Sequence, residues 1–405
     1  MTSTMQQRLF ALLFALTLLL GGTSMHAQEQ VRVTFTGFIQ TIAQYGSESD
    51  YIRVGNTTAP YDQPTTRMGI RRGRIAAIAS YGDLAARVDV NATDQKISIF
   101  NVYAEYKPHW AEGAFVKGGL MTPSFGYELP YSSSKRAALE RSLYIFDLFP
   151  GDIDMGLEMG YNGTLGQSKR WQLESTLSIL AGNGGKGMMK NIPDLALRLA
   201  MTERGANHDL SFGLSGYGGY LLAVDGYYAF DQKIATLKNN RMLRAYGGAF
   251  LTSTIKHQGG QLMLTAEGIM GLQPGWQNAN LAVGPKAPAT FENNILVQRH
   301  FIAGMAQIVE RIKPIDLELF GRYAYYDRNR HFDPKAEQDL KLNNLTARTE
   351  GRSHQLSTGV NYFLQQDHLR LSLQYDCFLR QQIEQQAFVA AKPLHMVTVG
   401  AQYKF

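Results

Sequence analysis

The chain has 405 residues, of which 44% are hydrophobic, 11% aromatic and 18% charged, with 40 Gly and a single Cys. That charged fraction lies below the roughly 25% of soluble proteins and excludes a disordered, highly charged chain. Cys377 alone cannot form an internal disulfide or a cysteine-based zinc site. The net charge of +6 is scattered one residue at a time apart from Arg71, Arg72 and Arg74, so it does not predict nucleic-acid binding.

Arg8, the apolar run Leu9 to Leu20 and the small and polar residues ending at Ala27 read as a signal peptide over 1–27, cleaved after Ala27. Its apolar run is too short to span a bilayer as a helix. No later run approaches 18 apolar residues, so the exported chain, 28–405, is either soluble in the periplasm or a β-barrel.

The rest of the chain alternates with period 2. In chain order the alternating segments lie near 31–44, 65–80, 83–95, 96–108, 113–122, 153–165, 170–182, 194–204, 209–223, 240–256, 260–273, 298–312, 314–327, 352–365, 368–381 and 392–405. The fifteenth is the cleanest: Leu369, Leu371, Leu373, Tyr375, Cys377 and Leu379 share one face, and Arg370, Ser372, Gln374, Asp376 and Arg380 the other. About sixteen strands with one apolar face predict an all-β fold, a closed transmembrane antiparallel barrel, and fourteen to eighteen strands fit the same pattern. A soluble sandwich would need two domains and a linker, and the composition shows neither.

Short links at Tyr81-Gly82-Asp83, Gln95-Lys96, Gly166 to Lys169, Arg311 to Pro314 and Gln366-Asp367 are expected at the periplasmic end, and long links (46–64, 123–152, 183–193, 224–239, 274–297, 328–351) at the outer end. Tyr45, Tyr81, Tyr106, Tyr161, Phe363 and Tyr403 are expected in aromatic girdles. The last strand, with His395, Val397, Val399, Ala401 and Tyr403 on one face and Phe405 at its end, has the form recognised by the barrel-assembly machinery.

If the apolar face meets lipid, the polar face lines the lumen, because charge on the lipid face costs about 2–4 kcal/mol at mid-membrane. Parity then points Arg87, Lys107, Lys117, Arg198, Arg204, Arg322, Arg370, Arg380 and Lys404 inward, against Asp89, Glu105, Glu174, Asp316, Glu318 and Asp376. This excess of positive charge favours anions mildly. The long link 123–152 follows the fifth strand, has Phe125, Tyr127, Leu139, Tyr144, Phe146 and Phe149 to pack with, and is expected to fold into the lumen as a constriction. Ser134, Lys135, Arg136 and Arg141 on it would meet a partly dehydrated anion. Gly182 to Gly187 lacks the spacing of a phosphate-binding loop, and no metal-binding or nucleophile motif occurs. No cofactor is expected, and no enzymatic activity.

Several motifs in order resemble the phosphate-selective porin O/P family: Arg71-Arg72-Gly73-Arg74 on the second strand, Gly119 to Gly126 leading into the loop, Ser132-Ser133-Ser134-Lys135, Glu140-Arg141-Ser142, and Pro150-Gly151-Asp152 before Gly156. The resemblance runs from about 65 to 185 and more loosely to the C-terminus. It implies a trimeric sixteen-stranded barrel in the outer membrane of a Gram-negative bacterium, in contact with outer-membrane lipid. It also implies that Ser134 and Lys135 contact the anion, with Arg141 as their partner and Arg71, Arg72 and Arg74 on the wall. Parity does not decide which of those three point inward. Thr122 and the six lumenal carboxylates depart from a phosphate channel. Three functions therefore stay open: a porin passing small anions, phosphate or polyphosphate among them; a general, weakly selective porin; and a plugged structural or secretion-associated barrel.

Overall fold

The computed structural model describes residues 30–48, 51–55, 63–149, 151–182, 184, 192–222, 227–230, 233–236, 241–276, 295–331, 335, 351–384 and 387–405. The expected signal peptide and all of 185–187 lie outside these residues. Strands follow the alternating segments: β1 (Arg32–Gly46), β2 (Thr65–Tyr81), β3 (Leu84–Ala92), β4 (Ile97–Tyr106), β5 (Ala114–Met121) and β6 (Asp154–Leu165). Next come β7 (Trp171–Leu180), β8 (Asp194–Arg204), β9 (His208–Leu222), β10 (Tyr227–Phe230), β11 (Lys233–Thr236), β12 (Arg241–His257) and β13 (Gly260–Trp276). The last are β14 (Ile295–Ile312), β15 (Leu317–Asp327), β16 (Ser353–Leu364), β17 (Leu369–Glu384), β18 (Ala387–Ala390) and β19 (Leu394–Lys404). A short helix, α1 (Leu143–Leu148), lies between β5 and β6.

Sixteen of these strands form a closed antiparallel barrel. β9 pairs with β12, β17 with β19, and β1 closes the ring on β19 from Phe38↔Lys404 to Gly46↔Met396. The short β10, β11 and β18 lie outside this ring, among the connections. Closure leaves no open edge, so every strand's backbone groups are paired where no water reaches them. Outward positions are apolar and exposed, as at Leu195, Leu197, Leu199, Leu371, Leu373, Val397 and Val399.

Following the chain up and down the ring places the turns at 82–83, 107–113, 166–170, 205–207, 258–259, 313–316 and 365–368 at one end, and the long connections at the other. Gln95-Lys96 is a correction: this short link between β3 and β4 sits at the long-loop end, because β3 starts from the opposite end. Length alone misplaced it. Asp316 occupies the left-handed position of the 313–316 turn and is not part of the inner wall. Phe363 is also corrected, for it is buried and its ring carries the Arg311 guanidinium 3.7 Å from its centroid. The neighbouring Tyr362 is the exposed one.

Two irregularities break the alternation. Gln40 pairs with Arg72 and Thr41 with Ile70, leaving Arg71 as an extra residue in β2. Asp89 pairs with Asn101 and Val90 with Ile99, leaving Phe100 as an extra residue in β4. A bulge puts two consecutive side chains on one face. Arg71 and Arg72 consequently both turn into the lumen, and Arg74 follows in the restored phase; all three arginines point inward.

Residues 122–149 and 151–153 of the connection between β5 and β6 fold into the lumen. Phe125, Leu129, Tyr144, Ile145, Leu148 and Phe149 pack against inward-facing Leu180, Tyr217, Tyr246, Ile269, Phe301 and Tyr326 in one buried apolar cluster. This fills the side of the lumen walled by β7–β15.

Candidate functional site: the constriction loop and the cationic cavity beside it

The loop is held mainly by side chains of the wall grasping its main chain. Nε of Arg198 donates to the Gly126 carbonyl at 2.9 Å, and Nη1 of Arg370 to the Arg136 carbonyl at 2.6 Å. Asn361 donates to the Ala137 carbonyl at 3.0 Å, Gln402 to the Ser134 carbonyl at 3.1 Å, and the Leu139 N–H donates to Gln374 at 2.8 Å. The Tyr127 N–H and the Tyr144 hydroxyl both donate to the Glu267 carboxylate, at 2.6 and 2.9 Å. Irregular backbone at membrane depth has no lattice of its own, so these side chains supply the partners its amides and carbonyls need.

Ion pairs complete the attachment. Arg71 donates from Nε to Oε1 of Glu140 at 2.5 Å, and Arg72 from Nη2 to Oε2 at 2.8 Å. Arg322 reaches Oε1 of Glu128 at 3.1 Å and the Glu140 carbonyl at 2.8 Å. Arg141 is buried within the loop, donating to the carbonyls of Glu128 and Leu129 at 3.2 and 2.8 Å and pairing with Asp152. Burial alone would raise the Glu140 carboxyl, but the adjoining Arg71 and Arg72 more than offset that and hold it well below the usual carboxylate range.

The expected site residues therefore separate by role. Arg71, Arg72, Arg198, Arg322 and Arg370 attach the loop, and Arg141 braces it from within. Arg380 is remote from both, pairing with Glu48 of the first outer connection at 2.9 Å. Arg136 is buried near Arg72 and Arg141, and its side chain does not attach the loop. Ser134 and Lys135, with Arg74, Arg87 and Lys117, line open space.

That space is a cavity of about 680 Å³ between the loop and the inner wall of β1–β5 and β19. Arg74, Arg87, Lys117, Lys135, Arg141 and Lys404 line it, against Asp89 as the one carboxylate side chain. Arg87 is paired with Asp89 at 2.7 Å and Lys117 with Glu158 at 2.7 Å. Arg74, Lys135 and Lys404 have no side-chain carboxylate partner among the described residues. Arg74 instead lies over the Phe100 ring, 3.6 Å from its centroid, so the extra residue of the second bulge positions the cation supplied beyond the first. Ser132, Ser133 and Ser134 add hydroxyls along the loop side.

Sequence reasoning missed the anchors on the far wall. Glu267, and the buried Arg244 with its partners Asp194 and Tyr217, face inward at regular alternating positions of β13, β12, β8 and β9. The parity that placed Arg322 and Arg370 would have found them. No group of His, Cys, Asp or Glu suited to a metal occurs among the described residues.

Comparison with solved structures decides the class of barrel. The outer membrane channel DcaP of Acinetobacter baumannii is similar over 95% of this chain and 99% of its own, with 16% identity and a TM-score of 0.56. The chain has the β-barrel fold of outer-membrane porins. The barrel is likewise similar to the anion-selective porin from Comamonas acidovorans, at 10% identity over 93% of this chain and 100% of that one, TM-score 0.55. The trimer form of OmpT from Vibrio cholerae matches at 11% identity over 93% and 100%, TM-score 0.54. The family model for phosphate-selective porins O and P matches residues 301–405 of this chain. That match covers β15–β19 and most of β14, and does not include the motifs within 65–185. No curated protein sequence matches.

Proposed function

We propose that this barrel is a passive diffusion channel selective for small anions, which pass through the cavity beside the constriction loop. The carrying observation is the cavity wall itself: six cationic side chains to one carboxylate side chain, with Arg74, Lys135 and Lys404 free of side-chain carboxylate partners among the described residues. An unpaired cation in a narrow water-filled passage replaces part of an anion's lost hydration and repels cations. The family match over residues 301–405 supports phosphate as one such anion. The paired state of Arg71, Arg72 and Arg141 favours a wider range, because those guanidiniums already hold carboxylates. A homotrimer, as in the trimer form of Vibrio cholerae OmpT, and delivery to the membrane through the terminal strand belong to the same reading.

The test is reversal potential across a planar bilayer in a potassium chloride gradient, repeated with phosphate. Anion preference that falls in Lys135→Ala supports the proposal. A preference for cations, or no conductance at all, overturns it.

A further inference from the structure

Arg136 is a loop cation whose side chain serves neither the attachment of the loop nor the cavity. Its side chain is buried, with the residue 5% exposed, yet Nε, Nη1 and Nη2 all lack a hydrogen-bond partner. Only its main chain is engaged, through the carbonyl that accepts from Arg370. A guanidinium out of water with none of its donors satisfied is among the costliest arrangements in a folded protein.

The surroundings sharpen the problem. Burial first, then the nearby charges of Arg141 and Arg72, push the Arg136 guanidinium well below its ordinary pKa, and Glu140 and Glu128 only partly offset them. Those carboxylates are already engaged: Glu140 holds Arg71 and Arg72, and Glu128 holds Arg322. Asp152 holds Arg141. The base of the loop thus gathers Arg71, Arg72, Arg136, Arg141 and Arg322 against three carboxylates. A hydrogen-bond acceptor carrying negative charge would satisfy both these donors and the excess of positive charge.

We infer that Arg136 binds a small inorganic anion enclosed between the constriction loop and the barrel wall, as a fixed structural ligand distinct from the anions that traverse the cavity. Arg136 is not part of the cavity lining, so this ligand does not lie on the permeation path, and the inference stands whether or not the channel is anion-selective. Chloride and phosphate share the required acceptor chemistry. Glu128, whose Oε2 is buried without a partner, is the internal rival for the same donors.

The experiment uses the folded full-length barrel in detergent. Its thermal midpoint is measured in sodium chloride, sodium phosphate and sodium gluconate at matched ionic strength, gluconate being too large to enter an enclosed site. The expected result is a higher midpoint in chloride or phosphate, saturating with concentration, with the better of the two naming the ligand. Arg136→Met should lose that dependence and Arg136→Lys should keep part of it, while reversal potentials of Arg136→Lys stay as in the parent. Crystals grown in bromide should show an anomalous peak within hydrogen-bond distance of the Arg136 guanidinium. Equal midpoints in all three salts, or a crystal structure in which Arg136 pairs with Oε2 of Glu128 and no peak appears, overturn the inference. Should Arg136→Met not fold, the salt series on the parent and the bromide crystals decide alone.

Discussion

Arg72 and Glu140 meet at 2.8 Å across the lumen, and Arg71, the preceding residue in sequence, holds the other oxygen of the same carboxylate. Consecutive residues of a regular strand face opposite sides, so this double grip exists only because of the bulge in β2. Replacing Glu140 by Gln would leave two buried guanidiniums without their counter-charge, a loss of about 3–5 kcal/mol when one partner of a buried pair is removed. The expected outcome is a lower thermal midpoint for the folded barrel and noisier open-channel current, because the loop loses an attachment to β2. Unchanged midpoint and noise in Glu140→Gln would show that the main-chain contacts from Arg370, Asn361 and Gln374 suffice.

The same pair sets a pH dependence. With its pKa held below the ordinary value by Arg71 and Arg72 against the opposing effect of burial, Glu140 stays ionised in the folded barrel under conditions that protonate an exposed carboxylate. A depressed folded pKa contributes stability in full above the unfolded value, about 4.3 for Glu, and loses it as pH falls toward the folded value. The stability difference between the parent and Glu140→Gln, read from denaturant unfolding, should be flat from pH 7 to about 5 and shrink only in stronger acid. A difference that already shrinks between pH 7 and 6 would contradict the assignment.

Lys135 and Arg141 separate selectivity from stability. Lys135 is exposed on the cavity side of the loop, whereas Arg141 is buried and braces it. Lys135→Ala should lower anion preference with a stability change within about 0.5 kcal/mol, as for other exposed substitutions. Arg141→Ala should instead destabilise by several kcal/mol, through Asp152 and the carbonyls of Glu128 and Leu129 left without their donor. Reversal potentials and unfolding curves of the two variants measure both effects side by side.

The ring of Phe149 lies 5.3 Å from that of Phe125 and 5.8 Å from those of Tyr217 and Tyr246, at the centre of the apolar cluster that joins the loop to the far wall. Phe149→Ala should cost about 3–5 kcal/mol. It also opens space in the filled side of the lumen, so single-channel conductance should rise even as the thermal midpoint falls.

Period-2 alternation made the sixteen barrel strands legible, since a lipid-facing apolar stripe leaves little freedom in which residues pair. The lumenal loop was legible as well, from its length after β5 and its aromatic content. What alternation could not convey is where it breaks. Nothing in Arg71-Arg72-Gly73-Arg74 marks Arg71 as the unpaired residue, because that choice is made jointly with Gln40 and Thr41 on the neighbouring strand. Nor could charge type show that Arg322 and Arg370 would spend their donors on loop carbonyls, for that depends on the path of residues 134–141 across the lumen. The unpartnered cations were the hardest to isolate, because a residue's lack of a partner is a property of everything around it.

The bulge itself can be tested by comparing Arg71→Ala with deletion of Arg71. In Arg71→Ala the extra residue remains, Arg72 keeps its grip on Glu140 and Arg74 stays over Phe100, so the loss should be confined to one of the two guanidinium contacts. Deletion removes the extra residue and leaves Gln40↔Arg72 and Thr41↔Ile70 as adjacent pairs of a regular ladder, so no other residue of β2 changes register. A one-place slip instead would turn Arg72 and Arg74 toward lipid, at about 2–4 kcal/mol each near mid-membrane. The deletion variant should therefore fold, with Arg72 and Arg74 inward and stability close to that of Arg71→Ala. Failure of the deletion variant to fold while Arg71→Ala folds would show that the local bend of the bulge, and not only the side chain it adds to the lumen, is needed to seat Arg72 on Glu140.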